Sequence, residues 1–130
     1  MSNSYRDLIV WQKALALVTD VYRWTADFPK SETYGLSSQM RRAAVSVVSN
    51  IAEGQGRTST GEFLQFLSNA KGSLVELETQ VFIAANLSYM PAPLQEQALE
   101  QTDEVSRLIS GLQRALTQKS KPAARAARAF

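Results

Sequence analysis

Four long stretches of this 130-residue chain carry apolar residues at steps of three and four, and nowhere do apolar and polar residues alternate as a half-buried strand requires. Such spacing puts side chains on one side of an α-helix, so the chain is expected to fold from helices alone. In the first stretch, from near Tyr5, one stripe runs through Leu8, Trp11, Leu15, Val18, Tyr22 and Thr25. A second lies beside it: Val10, Ala14, Leu17, Val21, Trp24 and Phe28. Together they cover about half the circumference, more than the ~100° that burial against a single core needs. Gln12, Lys13, Thr19, Asp20, Arg23 and Asp27 fill the polar side. Pro29 ends the helix, because it lacks an N–H and restricts the residue before it.

A loop from Lys30 to Leu36 leads to a second helix, with Ser37 or Ser38 as its expected N-cap and Gly54 as its C-terminal cap. Its core side is Met40, Ala43, Ala44, Val47 and Ile51, opposite a polar stripe of Gln39, Arg42, Ser46, Ser49, Asn50 and Glu53. Ser59-Thr60-Gly61-Glu62 has capping-box spacing and opens a third helix to about Leu87. Phe63, Leu67, Ala70, Leu74, Leu77, Val81 and Ala84 form its core stripe, and Gln65, Asn69, Ser73, Glu76 and Gln80 a polar one. Leu64, Val75 and Phe82 fall on a further side, with Ser68, Lys71 and Glu78. Pro91 and Pro93 are expected to break this helix. A fourth, from about Leu94 to Leu116, shows the stripe Leu94, Ala98, Val105, Leu108, Leu112 and Leu116.

Four helices joined by short connections make antiparallel neighbours, so the expected fold is all-α: an up-down-up-down four-helix bundle over residues 1–117. Residues 118–130 hold Pro122 and Ala-Arg repeats without a stripe, and are expected to form a disordered basic tail. The charge follows this division. Lys119, Lys121, Arg125 and Arg128 lie in an acid-free stretch; without them, ten basic face twelve acidic residues, a net of −2. No membrane-length apolar run and no signal-peptide pattern is present, which points to a cytoplasmic protein without membrane contact.

The chain contains neither cysteine nor histidine. Disulfides, thiolate nucleophiles, Cys/His zinc sites, imidazole bases and serine triads are therefore excluded. The Glu-x-x-His pattern of di-metal bundles is excluded with them. Carboxylates alone remain, and Glu76 and Glu78, two apart, project to different sides of their helix. No enzyme, cofactor, metal or small-molecule substrate is expected.

Arg41 stands among the apolar flank residues Val45, Val48 and Ala52, where a charge needs a partner. The favoured reading is an ion pair with Glu76 or Glu78, across helices or across subunits. Arg42 points elsewhere and is a candidate phosphate contact, since a guanidinium matches phosphate oxygens as a planar fork. Arg57, in the Gly54–Thr60 loop that leads into a helix N-terminus, is another; the loop lacks the lysine and spacing of a P-loop, and a plain helix–helix turn is its simpler reading. The polar stripe of the second helix suits either a solvated surface or a close helix contact with a hydrogen-bond network. The surplus apolar positions Val10, Leu17, Trp24, Leu64, Val75 and Phe82 are the candidate oligomer interface, because a monomer would expose too large a patch. Lys119, Lys121, Arg125 and Arg128 complete the candidate nucleic-acid contacts.

Several motifs occur in order: Asp7-Leu8-Ile9-Val10-Trp11-Gln12-Lys13-Ala14; Phe28-Pro29 with Glu32 and Tyr34-Gly35-Leu36; the run Ser38 to Ser46; Asn50-Ile51-Ala52-Glu53-Gly54; and the run Ser73 to Thr79. Across residues 7 to 116 they resemble the bacterial four helix bundle protein family, which includes proteins encoded by intervening sequences within 23S ribosomal RNA genes. The sequence is also similar to accessory proteins of diversity-generating retroelements. The resemblance implies a bundle that assembles into a five-membered ring and has no established catalytic activity. For the retroelement relatives it implies binding of nucleic acid and of a reverse transcriptase. The expected function is thus a non-enzymatic homo-oligomer, most simply a pentamer, that binds DNA or RNA non-specifically or serves as an adaptor for a nucleic-acid-handling partner. The alternative is a purely protein-binding scaffold.

Overall fold

In the computed structural model, which describes residues 4–119, a 3-10 turn at Tyr5–Asp7 precedes α1 (Ile9–Ala26), and a second at Lys30–Glu32 precedes α2 (Leu36–Gln55). Two longer helices follow, α3 (Thr60–Asn86) and α4 (Ala92–Lys119). Each helix packs on its neighbours in sequence and α4 returns to α1, and among the described residues no Cα atoms of the diagonal pairs α1 and α3 or α2 and α4 approach within 8 Å. This is the up-down-up-down four-helix bundle. Helix α4 runs two residues past the 117 boundary; Lys121, Arg125 and Arg128 lie outside the described residues, as does the side chain of Lys119.

The core stripes of the second and third helices are buried as their spacing predicts. On α1 the roles of the two stripes are reversed. Val10, Ala14, Leu17, Val21, Trp24 and Phe28 are 0–7% exposed and form the core, whereas Leu15 and Tyr22 of the other stripe are 43% and 45% exposed. Val10, Leu17 and Trp24 are therefore core residues of the single chain and not its oligomer interface. Two adjacent apolar stripes leave the rotation of a helix open, and packing against α2 and α4 sets it.

The helix ends also differ in detail. Gly35, not a serine, occupies the N-cap of α2, and Glu32 Oε1 accepts a hydrogen bond from the Leu36 N–H at 3.0 Å. Ser37 is buried inside the first turn. Gly54 lies within the last turn of α2, with Gly56 as the cap. A Cβ on Gly54 would stand 2.8 Å from both Phe63 Cδ1 and Phe66 Cβ, so this glycine lets the start of α3 close onto the end of α2. Ser59 caps α3 as expected, its Oγ accepting from the Glu62 N–H at 3.0 Å. That helix stops before the prolines. Ser88 takes a left-handed φ of 64°, and the Tyr89 N–H donates to Ala84 O at 2.8 Å, a reversal that satisfies the last carbonyls. Pro93 falls in the first turn of α4, where its missing N–H costs little.

Candidate functional site

Arg41 projects from the side of α2 toward the C-terminal turns of α1. Its Nε donates to Thr25 Oγ1 at 2.8 Å, its Nη2 reaches Tyr22 O at 3.5 Å, and the guanidinium lies 4.6 Å from the centroid of the Tyr22 ring. Within the chain neither Glu76 nor Glu78 takes part: both are on α3 and neither is ion-paired among the described residues. The partner that the charge needs is a threonine hydroxyl, itself anchored to Val21 O at 2.8 Å, together with an aromatic face. Arg42, one residue on, is exposed and makes no hydrogen bond or ion pair among the described residues. It lies on the outer surface of α2, between two clefts. One, of about 580 Å³, has Tyr22, Tyr34, Ser38, Arg41 and Val45 around it. The other, of about 310 Å³, lies toward α3 and is lined by Gln39, Ser46, Glu76 and Gln80.

The polar stripe of α2 meets that of α3. Ser46 Oγ and Ser73 Oγ are 2.7 Å apart, and Asn50 Nδ2 donates to Ser46 O at 2.8 Å and to Ser46 Oγ at 3.1 Å. Small hydroxyls allow the two helices to approach closely, which buries Ser73 and Gln80 as well. Gln80 Oε1 is shut away from solvent with no hydrogen-bond partner among the described residues.

Arg57 is at the opposite end of the bundle from Arg42, about 20 Å away along α2 at 1.5 Å per residue. It pairs with Glu53 Oε2 at 3.1 Å and lies 4.8 Å from the Phe66 ring centroid, so its charge is engaged within the chain. The candidate phosphate contacts are not brought together as one site. Instead, a cationic groove that the helix stripes do not reveal lies between α3 and α4. It encloses about 460 Å³ and is lined by Lys71, Ser110, Gln113, Arg114, Thr117 and Gln118, without a carboxylate. Lys71 Nζ donates to Ser110 Oγ at 2.8 Å, which leaves two ammonium hydrogens for another acceptor. Arg114 is exposed. The signal is present in the sequence: after Glu104 no acidic residue follows to the end of the chain, while Arg107, Arg114 and four further cations do. Arg107 is held by Asp103 at 3.3 Å. Because the helices alternate in direction, the groove opens toward the end of the bundle where α4 finishes and Arg57 sits.

Val75, Phe82 and Ile83 stand out from α3 at 63%, 46% and 43% exposure, above the groove, whereas Leu64 is half-buried against the core. The described residues contain no group of three or more His, Cys, Asp or Glu placed to hold a metal ion, and no helix long and apolar enough to cross a membrane.

These features define an antiparallel helical bundle with surface clefts. The chain belongs to the 23S rRNA-intervening sequence protein family, whose model matches residues 6–111. Among solved structures it is similar to a protein of unknown function from the S23 ribosomal protein family of Bacteroides thetaiotaomicron. The TM-score is 0.74 at 19% identity, over 82% of this chain and 99% of that one, a likeness of fold. No curated protein matches the chain. Neither the family description nor that of the neighbour names a catalytic activity.

Proposed function

We propose that this protein is a non-enzymatic, cytoplasmic homo-oligomer that binds nucleic acid without sequence preference, through the phosphate backbone. The observation that carries this reading is the acid-free cationic groove of Lys71 and Arg114, continuous in sequence with Lys119, Lys121, Arg125 and Arg128. Backbone charges on DNA or RNA hold condensed counterions, and cations that displace them gain free energy whatever the base sequence. Assembly is carried by Val75, Phe82 and Ile83, with Leu15 on the far side of the bundle as part of the complementary surface of a heterologous ring. The family resemblance supports five members. Since the apolar ridge lies higher on α3 than Lys71, such a ring gathers the grooves and the ends of α4 at one rim.

Fluorescence anisotropy with labelled duplex DNA and structured RNA, at two salt concentrations, tests the reading. Lys71→Gln with Arg114→Gln, and separately truncation after Gln118, should each weaken binding. For duplex, each should flatten the slope of log K against log salt by about 0.9 for every phosphate left without its cation. Arg57→Gln and Arg42→Gln should change it less. An intact truncated or doubly substituted oligomer with unchanged slope refutes the backbone model. The same apolar ridge, Val75, Phe82 and Ile83, favours a second reading, a scaffold that binds only protein, and absence of nucleic-acid binding by the wild type would select it.

A further inference from the structure

The 580 Å³ cleft at the junction of α1 and α2 combines two guanidiniums and two phenol rings with no carboxylate. Its parts are not equivalent. Arg41 is fixed by Thr25 and by the Tyr22 ring, yet these bonds use only Nε and Nη2, so Nη1 is left to meet an incoming acceptor. Arg42 is wholly unengaged among the described residues. A cation already held in place loses little conformational freedom when an anion docks on it. Tyr34, in the turn before α2, is 96% exposed and touches no other ring among the described residues, so both faces of its phenol are open to a ligand. Ser38, from the first turn of α2, adds a hydroxyl donor at the same cleft.

The geometry points to a nucleotide site here: the 5′-phosphate is held in the cleft that Arg41 and Arg42 both line, and the base stacks on Tyr34. A guanidinium pair recognises the phosphate oxygens, and an open aromatic face is worth about tenfold or more in affinity for a stacked base. A bare anion would leave Tyr34 idle, and a neutral aromatic would leave Arg42 unpaired. The ligand is either a free nucleoside monophosphate or the phosphorylated terminus of a strand. The site lies on α1 and α2, away from the α3–α4 groove, and does not rest on the backbone-binding reading.

Isothermal titration of the full chain with adenosine 5′-monophosphate, adenosine, ribose 5-phosphate and inorganic phosphate tests it. The monophosphate should bind tightest, and removal of either the base or the phosphate should cost about tenfold. Tyr34→Ala should lower the monophosphate to the affinity of ribose 5-phosphate without affecting the latter, Tyr34→Phe should preserve binding, and Arg42→Gln should lower it to the affinity of adenosine. A short 5′-phosphorylated oligonucleotide that binds more tightly than both the monophosphate and its 5′-hydroxyl counterpart assigns a strand terminus; otherwise the free nucleotide is the ligand. Lys71→Gln with Arg114→Gln should leave monophosphate binding unchanged while weakening nucleic acid. The proposal is overturned if the monophosphate shows no saturable binding, if inorganic phosphate binds equally well, if Tyr34→Ala has no effect, or if the groove variant no longer binds the monophosphate.

Discussion

Glu32 and Tyr89, 57 positions apart, meet at one end of the bundle, where the Tyr89 hydroxyl donates to Glu32 Oε2 at 2.9 Å. The other carboxylate oxygen accepts from the Leu36 N–H, so one side chain caps α2 and ties it to the turn between α3 and α4. Tyr89 also packs on Phe28, with ring centroids 5.3 Å apart.

This pair makes stability depend on pH. The Leu36 backbone hydrogen bond and then the Tyr89 hydroxyl hold the Glu32 carboxyl below its ordinary value of 4.5, with burial acting in the opposite direction. Its contribution is present above the unfolded value and disappears as pH falls through the lower folded one. The hydrogen bond to Glu32, then burial and the carboxylate charge, push the Tyr89 phenol above its ordinary 10.0. Its contribution is present below 10.0 and disappears as pH rises through the higher folded value. Thermal unfolding across pH should show both limbs, and Glu32→Gln should shrink both.

Gly54→Ala forces a Cβ to within 2.8 Å of the side chains of Phe63 and Phe66. Overpacking of this kind costs about 1–3 kcal/mol, more than the helix propensity that alanine gains. Urea unfolding of the variant measures it. Gly72→Ala, with nothing within 4 Å of the added carbon, should stabilise α3 instead.

Among the described residues the buried Oε1 of Gln80 has no partner. Gln80→Met removes an unsatisfied acceptor and should raise stability by about 1–3 kcal/mol in the same measurement. A decrease of that size would show that the amide has a partner in solution.

Trp24 and Phe82 separate the core from the proposed interface. Trp24→Ala opens a cavity in the core and should cost about 3–5 kcal/mol. Phe82→Asp places a charge on an exposed position, and should reduce a multiple of 14.3 kDa to the monomer mass by light scattering while helicity is retained. A wild type of monomer mass would refute the assembly.

Periodicity and punctuation are enough to read four helices in an up-down-up-down order, together with the core stripes of α2 and α3, because each is the one stripe on its helix in which apolar residues recur without a polar interruption. Capping chemistry likewise places Ser59. Where two apolar stripes lie side by side, as those of Val10 and Trp11 do on α1, local sequence leaves the helix rotation degenerate, and only the position of the neighbouring helices resolves it. The same holds for Arg41: its charge announces the need for a partner, but Thr25 reads as a member of an apolar stripe until α1 and α2 are set side by side. Ser73 and Gln80 fall on a polar stripe and are nevertheless buried, because Ser46, Ser73 and Gly54 are small enough to let α2 and α3 close together. Lys71 and Arg114, 43 positions apart, become one groove only when α4 folds back along α3. Short-range spacing determines which elements form; burial and charge clusters are properties of the surfaces between them, and those exist only once the helices have packed.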